Sequence, residues 1–177
     1  MMKLGKKHDR PAAAGEAPRE YASPPCFMHE LDPAWLGYFG REELLELLNL
    51  LLECERAGAR GVGELGRTAD PEHRPLLTAV ARDEARYCSM LTGHIRRLGG
   101  KATRKTGAFY GKLMGTDGLA AQLGLLDRGQ GWVVRKLQES LPRIEDEALR
   151  ADLQEMIDVH QANIASCNAI APDAASG

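Results

Sequence analysis

LLNLLLECERAGARG, residues Leu47–Gly61, decides the fold. Leu44, Leu48, Leu51, Glu55, Gly58 and Val62 recur at spacings of three and four, which places them on one face of a helix running from about Arg41 to Leu65. That apolar stripe carries a carboxylate in its middle. Glu55 faces inward, whereas Glu53 shares a flank with Glu46 and Asn49. A carboxylate on an inward face costs free energy unless it is paired or bound to a cation.

Three further segments repeat the arrangement. From about Pro75 to Leu98 the stripe is Leu77, Val80, Glu84, Tyr87, Leu91 and Leu98, and Gly99-Gly100 ends it. From about Gly118 to Leu141 it is Leu119, Leu123, Leu126, Gln130, Val133, Val134 and Leu137, with Asp127 at its border. From about Glu145 to Ile170 it is Leu149, Leu153, Met156, His160 and Ile164. No sustained period-two alternation competes with these patterns, and β-branched residues are scarce. The expectation is an all-α protein.

The connections set the topology. The first and second segments are joined through Gly66–Pro71, and the third and fourth around Pro142. Short loops make antiparallel neighbours. The second and third are joined by the long stretch Gly99–Asp117, which holds Lys101, Arg104, Lys105 and Lys112. Two antiparallel helical hairpins with one long crossover make a four-helix bundle of the crossover type. Within the crossover, Phe109, Tyr110, Leu113 and Met114 read as a short amphipathic turn docked on the bundle. Its basic residues read as a solvated loop, with contact to an anion or a phosphate as the alternative.

The expected organisation is a disordered tail over 1–21, a packing arm over 22–40 carrying Trp35, Tyr38 and Phe39, the bundle over 41–170 and a second tail over 171–177. The basic start, Met1–Arg10, is followed by Pro, Ala, Gly and charges rather than by the apolar stretch of a secretory signal. At 177 residues a single domain is expected. With only two Trp, four Tyr and three Phe, the core must be built from aliphatic side chains. The net charge of −2 gives no electrostatic reason to expect nucleic acid as a partner. No run approaches the roughly 18 apolar residues of a membrane span.

Cys26, Cys54, Cys88 and Cys167 are scattered, and they read as reduced thiols in a cytoplasm. Cys26-Pro-Phe-Met-His29 lacks a second ligand pair at zinc spacing and reads as a loop that packs Phe27 and Met28. No catalytic triad, P-loop or dinucleotide fingerprint is present.

The inward polar groups allow two readings. They form a metal site, or they are held by the arginines close to them in sequence: Arg56, Arg60, Arg86, Arg128 and Arg135. Tyr87 is then either a redox neighbour of a metal or a hydrogen-bond donor to a buried carboxylate. Gly58, Gly61, Gly63, Gly129 and Gly131 mark a channel or helix bulge at the site, or else close helix–helix approach. Both readings make this the least regular part of the bundle.

Four stretches together carry a family resemblance: LLNLLLECERAGARG (Leu47–Gly61), LLTAVARDEARYCSML (Leu76–Leu91), GLLDRGQGWVVRKL (Gly124–Leu137) and LQEMIDVHQANI (Leu153–Ile164). From about Asp32 to Cys167 the chain resembles the ferritin-like superfamily, and in particular a small uncharacterised bacterial family of that kind. The resemblance implies a ferritin-like four-helix bundle in which Glu55, Glu84, Asp127 and His160 are metal ligands. Tyr87, Gln130, Arg128 and Arg135 would surround them. It further implies iron or manganese as cofactor and redox chemistry with oxygen or a peroxide.

The pattern departs from that family at two places. Tyr87 stands three residues after Glu84 where a His is expected, and Ile157 stands three before His160 where a Glu is expected. Four ligands suffice for one ion and are thin for a pair. The alternative is a metal-free bundle serving as a structural, stress-associated or protein-interaction module with a Glu–Arg core. In either case a homodimer through helix faces is expected, without nucleic acid or membrane.

Overall fold

Helix α1 (Arg41–Thr68) enters with Glu42 and Glu43 in its first turn, where acidic side chains complement the helix dipole. The computed structural model describes residues 36–174, with side chains as far as 171. Helix α2 (Arg74–Arg97) has Pro75 in its first turn and His94, Arg96 and Arg97 in its last. It closes on Gly99 at φ 73°, the left-handed conformation that a glycine adopts freely. There Gly100 N–H reaches back 2.8 Å to Ile95 O. Three more helices follow: α3 (Phe109–Met114), α4 (Leu119–Ser140) and α5 (Glu147–Ala174), with a 3₁₀ turn over Leu141–Arg143. Among the described residues there is no strand, so the chain is all-α as expected. Helix α5 continues past Ile170, the expected end, to Ala174.

Helices α1 and α2 run antiparallel. Arg41 Nε donates to Leu98 O at one end, and at the other Gly66 lies against Leu77 and Thr78. Helices α4 and α5 form the second antiparallel pair, turned by the 3₁₀ segment and Asp146. Asp146 Oδ1 accepts the Leu149 N–H at 2.9 Å, which makes it the N-cap of α5. The crossover runs down the flank of α1. Asn49 Oδ1 accepts from Thr103 N at 2.7 Å, Glu53 Oε1 accepts from Thr103 Oγ1 at 2.8 Å, and Gly107 N donates to Glu53 O. The flank Glu46–Asn49–Glu53 is therefore the berth of the crossover. Its basic side chains, Lys101, Arg104, Lys105 and Lys112, are exposed.

At the far end of the crossover, α3 docks as the sequence suggested. Leu113 is fully buried, and Tyr110 donates to Glu64 beneath the Arg60 guanidinium. Of the arm, Phe39 packs on the core and stacks under Arg143, whose guanidinium also holds Glu43 through two hydrogen bonds. Tyr38 beside it is half-buried, whereas the arm up to residue 35 with Trp35, the Cys26–His29 loop and the expected tail over 1–21 lie outside the described residues.

The apolar interior has two parts. One is built on Leu48, Leu51, Leu52, Leu91, Ile95, Leu137 and Leu153, the other on Val62, Leu77, Val80, Leu113, Leu123 and Leu126. Between them lies a polar layer.

Candidate functional site

Each of the four long helices contributes one buried polar side chain to that layer: Glu55 from α1, Glu84 from α2, Gln130 from α4 and His160 from α5. Their fractional exposures are 2%, 3%, 3% and 1%, so none is solvated by bulk water. They share a layer because each occupies an equivalent point of its helix stripe. Leu52 and Val62 bracket Glu55, and Leu126 and Val133 bracket Gln130, at spacings that keep one face.

Two contacts organise the layer. His160 Nε2 stands 3.2 Å from Glu55 Oε1, and Gln130 Nε2 donates to Glu84 Oε1 at 2.9 Å. The other ring nitrogen of His160, Nδ1, lies 3.0 Å from Met156 O. A carbonyl oxygen only accepts, so Nδ1 carries a proton and Nε2 is the nitrogen presented to the site. Three buried oxygens find no partner among the protein groups: Glu55 Oε2, Glu84 Oε2 and Gln130 Oε1. All three belong to residues of one layer that line one cavity of about 200 Å³. The remaining wall is mostly apolar, with Phe109, Leu126, Trp132 and Val133 prominent.

The electrostatics follow from crowding two carboxylates out of water. Burial, then the charge of Glu55, pushes the Glu84 carboxyl up to about 8, against the lowering effect of the Gln130 amide and of His160. Burial by itself would lower the His160 imidazole. The charge and hydrogen bond of Glu55, with Glu84 and the Met156 carbonyl, more than reverse this and leave it raised. Near neutral pH the layer therefore retains protons that a cation would displace. Among the described residues, no three His, Cys, Asp or Glu side chains stand in the arrangement of a metal site as they lie. The three unpartnered oxygens nevertheless leave the layer with acceptors that no protein donor satisfies.

The other expected site residues sit elsewhere. Asp127 is half-buried on the flank of α4 and reaches only Asn168 Nδ2, at 3.5 Å. One position beyond Leu126, it is turned off the inward stripe, and Gln130 takes the place expected of it. Arg128 and Arg135 are exposed. The remaining arginines are also committed away from the layer. Arg56 donates to Lys105 O, Arg60 covers the Tyr110 ring, and Arg86 bonds Glu155 and Tyr87 Oη. No Glu–Arg core exists among the described residues, because a guanidinium reaches solvent or loop carbonyls more cheaply than it follows a carboxylate inward. Tyr87 packs its ring 5.6 Å from the His160 ring. Its hydroxyl accepts from Arg86 and donates to Glu155 O at 3.4 Å rather than to a buried carboxylate, and burial foremost pushes its pKa up to about 12.

The glycine-rich segments are regular α-helix throughout, contrary to the expected irregularity. Close approach is their reason. A Cβ on Gly58 would lie 1.8 Å from Glu84 Oε2, one on Gly61 2.7 Å from Leu113, and one on Gly129 2.8 Å from Phe109. Gly58 is thus part of the site, since it makes room for the Glu84 carboxylate.

A second polar cluster was not anticipated. Arg97 links Asp146 at 2.6 Å to His94 Nδ1 at 2.9 Å, and His94 Nε2 lies 2.7 Å from Asp152. His94 continues the α2 stripe three residues after Leu91, so its spacing was the available signal. The cluster ties α2 to the start of α5.

These elements define an all-helical protein with a buried layer of carboxylate, amide and imidazole groups. Residues 42–169 match the family described as a domain of unknown function (DUF6306), and the chain belongs to that family. No curated protein and no solved structure matches it. Among the described residues no helix is long and apolar enough to cross a membrane.

Proposed function

We propose that this chain is a ferritin-like four-helix bundle that holds one divalent cation, iron or manganese, in its polar layer. Glu55, Glu84 and His160 would be the ligands and the Gln130 amide oxygen an additional donor. The observation that carries this reading is the set of three unpartnered buried oxygens on residues that line one cavity with His160. Buried acceptors without donors are costly, and a cation satisfies all of them at once. The Nδ1 contact to Met156 O supports it further, since a carbonyl accepting from the far ring nitrogen fixes the tautomer and orientation of a metal-binding imidazole.

A bound iron or manganese would supply one-electron redox chemistry toward oxygen or a peroxide. The chain's own residues prepare the site. Glu55 and His160, which now face each other, would hold the cation, and Glu84 would join them as a carboxylate once deprotonated. The apolar walls exclude water. Gln130 holds Glu84 in place through Nε2.

A second reading rests on the 3.2 Å Glu55–His160 contact. In a metal-free bundle that pair neutralises itself and Gln130 holds a protonated Glu84, which leaves a structural or protein-interaction module. Metal analysis by mass spectrometry decides between them, on protein purified without chelator or affinity tag and then on His160→Ala. About one iron or manganese per chain, lost in the variant, supports the metal centre. No stoichiometric metal after anaerobic iron loading overturns it.

A further inference from the structure

We propose that the cavity above the polar layer is a binding site for a small one-ring molecule ending in a hydroxyl group, of the phenol class. The cavity is larger than the layer needs. Its volume of about 200 Å³ exceeds the roughly 150 Å³ that suffices for an apolar cavity to hold benzene. Its walls and floor differ in character. Phe109 from α3 and Leu126, Trp132 and Val133 from α4 form an apolar slot, and the floor is the layer with its unpartnered oxygens on Glu84 and Gln130. An apolar slot with a few convergent polar groups at one end is the general form of a small-molecule site.

Water is a poor occupant of the whole space. It satisfies the floor, but against the apolar walls it lacks the two to four partners an ordered water needs. A ring fills the slot, and edge-to-face contact with Phe109 and Trp132 adds to its burial.

The head group follows from the floor. A hydroxyl donates to a free carboxylate or amide oxygen, and it also accepts from a protonated carboxyl, so it suits the layer in either protonation state. An ammonium group only donates. Access is supplied at Trp132, which lines the cavity and is 41% exposed. Trp132 is among the few large apolar side chains left exposed, alongside Leu36 and Leu50. The glycines of the segment have a related purpose: Gly129 lets the Phe109 ring lie flush on α4, closing the slot on its α3 side.

The inference goes beyond the metal reading and does not depend on it, so the experiment uses the full chain stripped of metal by chelator. Titration with p-cresol, and separately with toluene, is followed by calorimetry and by the Trp132 indole resonance. One p-cresol per chain is expected with Kd below about 1 mM, with toluene at least about tenfold weaker because it leaves the floor unpaired. Leu126→Phe fills the slot and is expected to abolish binding. Trp132→Ala, at an exposed position that does not threaten folding, is expected to weaken it about fivefold or more. Absence of p-cresol binding, equal affinity for toluene, or unchanged affinity in Trp132→Ala each overturns the proposal.

Discussion

His160 Nε2 and Glu55 Oε1 meet at 3.2 Å across 105 residues of sequence, each at least 98% removed from solvent. A buried pair of this kind is weak evidence of net stabilisation, but breaking it from one side is costly. His160→Ala leaves Glu55 with a charge and no partner. The expected loss is about 3–5 kcal/mol in the metal-free protein, read from urea denaturation. A loss below about 1 kcal/mol would mean that Glu55 simply takes up a proton, and that the pair contributes little to the fold.

Glu84 and Gly58 form a steric couple, and this gives a local test of the site. Gly58→Ala adds a methyl group 1.8 Å from the present position of Glu84 Oε2, so the carboxylate must move. The strain of about 1–3 kcal/mol is offset by roughly 1 kcal/mol of helix propensity. The variant is expected to fold, with a melting temperature within several degrees of wild type, and to lose metal in mass-spectrometric analysis. Full metal retention would place Glu84 outside the centre.

The thiols give a prediction of opposite sign. Cys54, Cys88 and Cys167 are unpaired. Burial, reinforced by Glu55 at Cys54 and Cys88 and by Glu84 at Cys167, pushes each up to about 11. Reactive thiols are thiolates in positive surroundings, and these are the reverse. Iodoacetamide at pH 7.5 is expected to modify all three far more slowly than a free thiol, with rates climbing steeply above pH 10. Rapid labelling of Cys54 in the folded protein would overturn this.

The helices were legible because one physical signal, apolar spacing at three and four, runs through each. The inward positions of Glu55, Glu84, Gln130 and His160 came from the same count, since a residue on the stripe is inside whatever its chemistry. Asp127 was misplaced because it borders the stripe, and there periodicity does not say which way a side chain turns. The arginines were misplaced because nearness in sequence says nothing about where a long side chain ends. What closes the cavity is a contact between α3 and α4, Phe109 on Gly129. Periodicity within a helix carries no information about such a pair.

The pH dependence of stability follows from three groups, Asp146 shifted one way and Glu84 and His160 the other. Asp146 is held below its ordinary value, first by the Leu149 N–H it caps and further by Arg97. Its contribution is present above about pH 3.8 and is lost as pH falls through the lower folded value. Asp146→Ala is accordingly expected to cost about 1 kcal/mol at pH 6 and to flatten the acid limb. Glu84 acts the other way. Raised from 4.5 to about 8, it binds its proton more tightly in the folded chain, so its contribution is complete below about pH 4.5 and is lost as pH rises to about 8. His160, also raised, adds a loss in the same direction above pH 6.5. The groups facing Glu84 are Glu55 on α1, Gln130 on α4 and His160 on α5, with Asp83 beside it on α2. Of these only Gln130 and His160 favour its ionisation. Metal-free protein is therefore expected to be most stable in weak acid and to lose melting temperature steadily from pH 5 to pH 9. Glu84→Gln, which keeps the shape and removes the titration, should flatten that slope. Saturating divalent iron or manganese should flatten it in the wild type, because a ligated carboxylate no longer gains from a proton. A wild-type melting temperature that rises from pH 5 to pH 8 without metal would show that Glu84 is ionised in the folded chain and that its charge is compensated from within.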